Sequence, residues 1–508
     1  MIILGVAVCL VVLLGVGFHS TRKVRGDAGN FLLAGRSLGA PVLAVLLMSQ
    51  VVDSNATLGS ADLAAGFGFW AGAAMPLGMA VALLLVGLFF AKRLRATGVV
   101  TLPEYFAQRF GRGTEITASA LTVASFGILL AGNLVALGYL LEHFVHIDYT
   151  VAVLVVVPFV VAYTMAGGMF ASVYTGIVQF AVMAVGIVSL LVWVAFGAGF
   201  SHPDGSGFTD FGQLTDPMQG AAINWATIVA LGLGNLVAID LMQRVFSARS
   251  PRAAQRACFS AATGILLLCV PLSFVALAAV SIVGDGATDA PILYVLLGQY
   301  TPQWLSILVL SGLVTASLTT VSGILLSTAT VLVRNVFRVG GEHAAMSSDV
   351  MKATRWAMLP MAALGALVAL RVPQTGILLT LTFDLLLASL VVPFVLGLFW
   401  TRGDGVAVAV AAVAGIGVRV VFFVLTPTIY GVDNTLLHVP NTLVGAGADG
   451  WTTFLAAIVS LVAYVGVALV RRPTPTAPTP TAPTPTAPAP TAPTPVRGAV
   501  PEPAPVGV

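Results

Sequence analysis

The sequence predicts an all-α integral membrane protein with about thirteen transmembrane helices, its N-terminus outside and its C-terminus inside. Three observations predict this class. Of 508 residues, 58% are hydrophobic and only 8% are charged, whereas a soluble domain carries roughly 25% charged residues. Apolar runs long enough to cross a hydrocarbon layer of ~30 Å recur along the whole chain. Basic residues gather on alternate loops, as the positive-inside rule requires.

The thirteen apolar runs are numbered span 1 to span 13 in chain order. Their approximate bounds are 2–18, 41–66, 71–91, 116–141, 149–166, 173–199, 221–246, 257–283, 304–333, 355–371, 376–400, 405–426 and 452–470. The first run has no basic residue before it and is followed by Arg22, Lys23 and Arg25. A cleavable signal peptide has the opposite polarity, so span 1 is predicted to remain in the membrane.

The distribution of charge tests the orientation independently. The loops assigned to the inside hold 21 of the 23 Lys and Arg residues. The exceptions are Arg371, near an outer end, and Arg419, within span 12, which is expected to snorkel outward. A wrong number of spans would scramble this segregation. The pattern therefore predicts a multi-pass protein of the cell inner (plasma) membrane.

Composition divides the chain into two regions. Residues 1–472 are predicted to form one polytopic membrane domain. Residues 473–508 are a Pro/Thr/Ala repeat, predicted to be a disordered cytoplasmic tail. The tail is interpreted as solubilising, with a ligand for a proline-binding partner as the alternative. The expected partners are the lipid bilayer and a small organic solute, without nucleic acid and without a predicted protein partner.

Three spans have polar or glycine-rich centres. Span 2 contains Asp53 within a polar patch, span 7 contains Gly234 and Asn235 followed by Asp240, and span 9 is rich in hydroxyl groups. An Asp at bilayer depth costs about 2.5–3.5 kcal/mol on insertion scales, which makes it a functional candidate. Transporters with inverted repeats bind ions and solutes where helices are interrupted near the midplane. Because spans 2 and 7 are five apart, spans 2–6 and 7–11 are predicted to be the repeats.

Short motifs along spans 1 to 11 point to a family. They are Gly35-Arg36-Ser37-Leu38-Gly39, Thr101-Leu102-Pro103-Glu104-Tyr105 with Arg109-Phe110-Gly111, Ala162-Tyr163-Thr164 with Gly167-Gly168, Tyr174-Thr175 with Gln179, Gly234 with Arg244, and Ala316-x-x-Thr319-Thr320. With them the chain resembles the sodium/solute symporter family, which includes the bacterial proline, sugar and sialic acid symporters. The resemblance implies the LeuT-type fold, a five-plus-five inverted repeat.

The resemblance also implies a Na+ site between spans 2 and 9, with Na+ as the coupling ion. Its ligands would be the backbone carbonyls of Ser49, Val52 and Ala316 and the hydroxyls of Thr319 and Thr320. Two departures from the family pattern bear on function. Gly176 stands where many members carry an Asp, and Ala56 replaces the sugar-binding Gln of the sugar symporters, which argues against a sugar.

Polar residues expected near the midplane are the candidate solute ligands: Asp53, Asn55, Asn133, Gly234, Asn235 and Asp384, with the aromatic residues Phe126 and Phe383 nearby. No Lys or Arg lies mid-span on the helices assigned to the site. Buried carboxylates without cationic partners suit an ammonium or amide group, which favours an amino-acid-like, amine or urea-like solute.

The predicted function is secondary active transport, a Na+-coupled import of a small organic solute by alternating access. A proton-coupled transporter of the same fold is one alternative, and a membrane sensor that binds solute without transporting it is another. An enzyme is not predicted. The six His residues fall at span ends or in loops, so they form no metal cluster within the membrane.

Overall fold

The computed structural model describes residues 2–21, 28–197, 199–284, 290–339, 348–400, 402–434 and 438–471. Its regular structure there is helical except for one antiparallel hairpin, in which Thr428–Ile429 pairs with Val432–Asp433. The tail predicted at 473–508 lies outside the described residues, so its disorder and the domain division stay predictions.

Ten helices in the described part of the chain are long and apolar enough to cross a membrane. They are Phe69–Thr97, Arg112–Val145, Tyr149–Ala166, Gly168–Gly197, Pro251–Val283, Gln303–Val336, Ser348–Arg371, Ile377–Phe399, Gly405–Leu425 and Trp451–Val470. They correspond to spans 3–6 and 8–13, and the predicted bounds lie within a few residues of the observed ones.

Spans 2 and 7 are each broken into a bent pair of helices. Ala40–Val51 and Ser54–Phe67 form span 2 with a bend of 53°, and Ala221–Val237 and Ile239–Phe246 form span 7 with a bend of 48°. The membrane count is therefore up to twelve. The first helix, Ile2–Thr21, precedes these spans. A thirteenth crossing and the orientation of the termini stay predictions.

Short helices connect the spans. They are Ala28–Leu33, Ala34–Arg36, Leu102–Phe110, Gly212–Thr215, Pro217–Gln219, Ile292–Gln299 and Ala446–Ala448. Three spans contain a π-helical segment: Val86–Phe90, Leu332–Val336 and Leu387–Val391. Spans 5 and 6 meet at Gly168, where φ is +54° and ψ is −147°. Glycine adopts this backbone conformation at little steric cost, which explains the sharp junction.

Span 9 is a central helix that packs against the first helix and against spans 2, 4, 6 and 10. Every residue from Val309 to Val331 is buried, although this stretch contains many hydroxyl side chains. Spans 12 and 13, by contrast, pack against each other and leave one face exposed to the lipid region. Buried hydroxyls in the central helix require hydrogen-bond partners or a ligand, so span 9 is where a polar site is expected.

Candidate ion and solute site

Asp53 holds the break in span 2. Val52 ends the first half-helix, with φ −89° and ψ 68°, and Asp53 begins the second with an extended backbone. One carboxylate oxygen of Asp53 accepts a hydrogen bond of 2.7 Å from the Ala56 amide, the geometry of a helix N-cap. The other accepts one of 2.8 Å from Asn133 Nδ2 in span 4.

The residues that follow Asp53 tie the same break to two further helices. Ser54 donates to the carbonyl of Leu313 in span 9. Asn55 Oδ1 accepts a hydrogen bond of 2.8 Å from the amide of Gly376, just before span 11. The unwound centre of span 2 is therefore held by hydrogen bonds to spans 4, 9 and 11. Asn55 is directed toward Gly376 and does not line the solute cavity described below.

Two of the proposed Na+ ligands, Ser49 of span 2 and Thr319 of span 9, lie beside the same glycine of span 6. Ser49, Val52, Ala316, Thr319 and Thr320 are all buried. A β-carbon at Gly176 in span 6 would lie 3.0 Å from Ser49 Oγ and 3.6 Å from Thr319 Cγ2, so both residues border one small region.

The hydroxyl of Thr320 fits an ion ligand. Thr319 donates to the carbonyl of Thr315 at 2.9 Å. Thr320 Oγ1 is buried without a hydrogen-bond partner in the part of the chain that the structure describes. A buried hydroxyl that lacks a partner is costly, and hard cations take oxygen ligands of this kind. The residues present therefore fit Na+.

A small cavity adjoins this region. Its lining residues come from spans 2, 3, 4, 7, 9 and 11: Gln50, Val51, Asp53, Met79, Leu129, Asn235, Asp240, Leu241, Thr320, Leu379 and Phe383. Its volume is about 20 Å³, which is room for one water molecule. The walls of the candidate solute site are thus drawn together, and a solute requires them to move apart.

The break in span 7 has its own carboxylate. Ala238, with ψ 114°, interrupts the helix, and Asp240 Oδ1 accepts a hydrogen bond of 2.7 Å from the Leu241 amide at the start of the second half-helix. Asn235 lines the cavity and donates to the carbonyl of Leu231 at 2.8 Å. Gly234 packs directly against the backbone carbonyl of Phe383 in span 11.

Arg244 lies in the second half-helix of span 7, after this break. The charge distribution along the sequence had placed it in an inner loop. Only 1% of its surface is exposed. It donates to the backbone carbonyl of Asp240 at 3.0 Å, to Gln50 Oε1, and to Ser172 Oγ at 3.3 Å. No ion pair within 4.0 Å joins it to the Asp240 carboxylate in the described residues. Gln50 was missed as a site residue, because its partner Arg244 lies 194 residues away in the sequence.

Asp384 does not lie in the solute cavity, contrary to the sequence prediction. It forms an ion pair with Arg419 Nε of span 12. Arg419 is 2% exposed, so it does not snorkel outward as predicted. Successive residues of an α-helix point about 100° apart. Phe383 faces the cavity, which directs Asp384 toward span 12.

Span 2 and the start of span 11 meet through a direct backbone contact. Gly59, in the second half of span 2, lies against the backbone of Gly376, and a β-carbon at either position would collide with the other. Beside this contact, Asp62 accepts hydrogen bonds from the Ile292 amide at 2.9 Å and the Thr375 hydroxyl at 3.4 Å. Gly376 has φ +73°, which favours glycine there.

Two broken helices that meet at a buried polar cavity, with an unpaired hydroxyl beside it, define a secondary transporter of the inverted-repeat class. The chain belongs to the Sodium:solute symporter family, which it matches over residues 31–407. It is therefore a membrane transporter that couples the movement of a solute to Na+.

Known proteins similar to this chain cover most of its length. The high affinity choline transporter 1 of Homo sapiens is 26% identical over 441 residues, or 81% of this chain and 74% of that protein. The uncharacterized symporter YwcA of Bacillus subtilis (strain 168) is 24% identical over 82% of this chain and 84% of its own. The structure of a Na+-coupled sialic acid symporter superposes with a TM-score of 0.71 at 16% identity, covering 93% and 98% of the two chains. That likeness shows the shared LeuT-type fold.

Proposed function

We propose that this protein imports a small organic cation, an ammonium compound, together with Na+ across the plasma membrane by alternating access. The observation that carries the proposal is that each break has one of the chain's own carboxylates at the cap or in the first turn of its second half-helix. Asp53 accepts from the Ala56 amide in span 2, and Asp240 accepts from the Leu241 amide in span 7.

Transporters of this architecture bind the anionic groups of their solutes at such half-helix N-termini, where backbone amides and the helix dipole favour negative charge. Here an incoming carboxylate would find both positions taken and would face two negative side chains. The region around the cavity carries two carboxylates, Asp53 and Asp240, and one guanidinium, Arg244. Its net negative charge favours a cationic solute.

The rest of the cavity suits the apolar part of an ammonium compound. Val51, Met79, Leu129 and Leu379 supply aliphatic surface, and the ring of Phe383 supplies a face on which a cation can rest. The similarity to choline transporters from several animals supports the same solute class. This narrows the sequence prediction of an amino-acid-like, amine or urea-like solute to its amine member.

For the ion, we propose the ligand set Ser49, Val52, Ala316, Thr319 and Thr320. One charge crossing 100 mV gains about 2.3 kcal/mol, and a tenfold gradient of Na+ adds about 1.4 kcal/mol. A cationic solute gains about another 2.3 kcal/mol from the same potential. One Na+ per cycle is therefore sufficient for strong accumulation of a cation.

The test is the thermal stability of the purified protein with a matched pair of probes. Choline and glycine betaine share a trimethylammonium group, but only betaine carries a carboxylate. We expect choline to raise the melting temperature in NaCl and not in KCl, because a ligand that binds the folded state stabilises it by mass action. Betaine is expected to have no effect in either salt. Two results would contradict the proposal. One is stabilisation by betaine but not by choline, and the other is stabilisation by ethanolamine and choline that is equal in NaCl and KCl.

A further inference from the structure

We propose that the buried ion pair between Asp384 and Arg419 is a positioning device for the solute site. It attaches span 11, which presents Phe383 to the cavity, to spans 12 and 13, which lie outside the two repeats. Neither residue lines the cavity in the structure, so both would act on the solute through the placement of Phe383.

The pair is almost fully enclosed. Asp384 is 0% exposed and Arg419 is 2% exposed. Arg419 Nη1 also donates to Thr452 Oγ1 of span 13 at 2.7 Å, and its guanidinium lies 3.9 Å from the centre of the Phe423 ring. The second oxygen of Asp384 has no hydrogen-bond partner in the described residues. Asp384 therefore depends on Arg419, and Arg419 links three helices.

General stability is a poor explanation for such a pair. Charges are expensive at membrane depth, and replacing a buried ion pair by apolar residues of similar size is often neutral or stabilising. Directional charge-assisted hydrogen bonds do, however, define the relative position of two helices more narrowly than apolar contacts do. The ion pair therefore points to a requirement that span 11 be held in a defined position relative to span 12.

The place of the pair along span 11 indicates what is positioned. Phe383 precedes Asp384 and lines the cavity, and its carbonyl packs on Gly234 at the break of span 7. Three residues after Asp384 the helix becomes π-helical, from Leu387 to Val391. Such segments interrupt regular helices at functional sites and allow them to bend. The pair thus holds span 11 just before the point where it bends most readily.

The test uses a reporter that needs no solute. In a background with Cys9, Cys258 and Cys269 replaced by Ala, Leu379→Cys places one thiol in the cavity wall. Its rate of reaction with the cationic reagent 2-aminoethyl methanethiosulfonate reports the placement of span 11. It is compared in the parent, in Asp384→Leu, in Arg419→Leu and in the double variant Asp384→Leu/Arg419→Leu, together with each melting temperature.

We expect each single variant to melt well below the parent, because it leaves one buried charge unpaired. The double variant is expected to recover the melting temperature but to label at least tenfold faster, with an unchanged Na+ concentration for half-maximal stabilisation. Recovery of both the melting temperature and the labelling rate would overturn the proposal, since the pair would then serve stability alone. If the double variant does not purify, Thr452→Val decides. It keeps the pair and removes the link to span 13, so a parent rate there overturns the proposal and a faster rate supports it.

A matched control lies at the other ends of the same two helices. Arg471 Nε of span 13 pairs with Asp404 Oδ2, at the start of span 12, at 2.8 Å. Arg471→Leu removes an ion pair between spans 12 and 13 without touching span 11, and it should leave the labelling rate unchanged. Because no solute enters the measurement, its failure would leave the proposed solute class intact, and failure of the choline test would leave this inference intact.

Discussion

The breaks in spans 2 and 7 occupy corresponding places in the two predicted repeats, but different interactions hold them. In span 2, Asp53, Ser54 and Asn55 make hydrogen bonds to spans 4, 9 and 11. In span 7, Asn235 bonds within its own helix, and Gly234 meets span 11 through close packing on the backbone of Phe383.

The difference suggests a division of labour. Hydrogen bonds to three neighbours hold the backbone of span 2 in one place, and an ion needs its carbonyl ligands held within a fraction of an ångström. The first half of span 7 meets span 11 at a glycine contact, which can separate without leaving buried polar groups unpaired, so this half is free to move over the solute. The second half is held by hydrogen bonds from Arg244 to Gln50 of span 2 and to Ser172 of span 6. We infer that span 2 is the stationary ion platform and the first half of span 7 the element that closes. The following predictions are arranged from the largest expected effect to the smallest.

The strongest test of the platform is Thr319→Ala/Thr320→Ala, which removes both proposed hydroxyl ligands. We expect Na+-specific thermal stabilisation to disappear, because each lost ligand weakens binding by roughly 1–3 kcal/mol, about fivefold to 150-fold in affinity. Melting curves in NaCl and KCl at equal ionic strength measure this.

The matched control for that pair is Thr328→Ala/Thr330→Ala, on the same buried helix. Both hydroxyls bond to carbonyls of their own helix, at 2.7 and 2.6 Å. This variant should retain the Na+ effect. Loss of the effect in the control, or its survival in the Thr319/Thr320 variant, would place the ion elsewhere.

The closing role of span 7 is tested by Gly234→Ala. The added methyl group would collide with the carbonyl of Phe383, and overpacking of this kind costs about 1–3 kcal/mol. We expect the melting temperature to fall and stabilisation by solute to vanish, while Na+ still stabilises the protein. Gly232→Ala is the control, since its β-carbon would lie 3.3 Å from Val81 Cγ1 and needs only a small adjustment. Equal effects of the two substitutions would refute a special contact at Gly234.

Substitutions at Asp53 separate the negative charge of this residue from its role as a helix cap. Asp53→Asn keeps a good N-cap, and Asn133 can reverse its amide because its Oδ1 has no partner in the described residues. We expect little loss of stability but weaker binding of choline, measured by the shift in melting temperature. Asp53→Ala should lose about 0.5–2 kcal/mol from the cap. If Asp53→Asn melts as low as Asp53→Ala, the cap does not hold the break.

The smallest expected change is a gain in Na+ affinity at the ion platform, caused by Gly176→Asp. A carboxylate there would stand beside Ser49 and Thr319 and would attract the ion, with about tenfold higher Na+ affinity for about 1.4 kcal/mol of added attraction. The same variant should melt lower in KCl, where the buried charge is unpaired. Gly176→Asn, of equal size and no charge, should show no gain in affinity.

The positions of spans 2 to 13 and of both breaks were predictable from the sequence because these features lie along the chain. Hydropathy gives the lengths of the spans, and a polar patch around Asp53 or after Gly234 can exist at membrane depth only where the helix is interrupted or lines a cavity. The resemblance to the family singled out Gly176, and in the structure this glycine borders Ser49 and Thr319.

The direction in which side chains point around each helix was much harder to predict. Span 11 is apolar on all sides, so nothing in its periodicity indicates that Phe383 rather than Asp384 faces the cavity. The partners of Asp384 and Gln50 come from spans 12 and 7, 35 and 194 residues away. Such pairings depend on how the helices pack, which a single sequence does not reveal.

The contact between Gly59 and Gly376 has a consequence for how the protein could be arrested. The two backbone segments meet with only hydrogen atoms between them, so they can approach no further. The methyl side chain of alanine is enough to hold them apart. A single methyl group at position 59 would act as a wedge, leaving the fold and both binding regions chemically unaltered while preventing the final approach. These two positions thus offer a handle for trapping an otherwise short-lived open form for structural work.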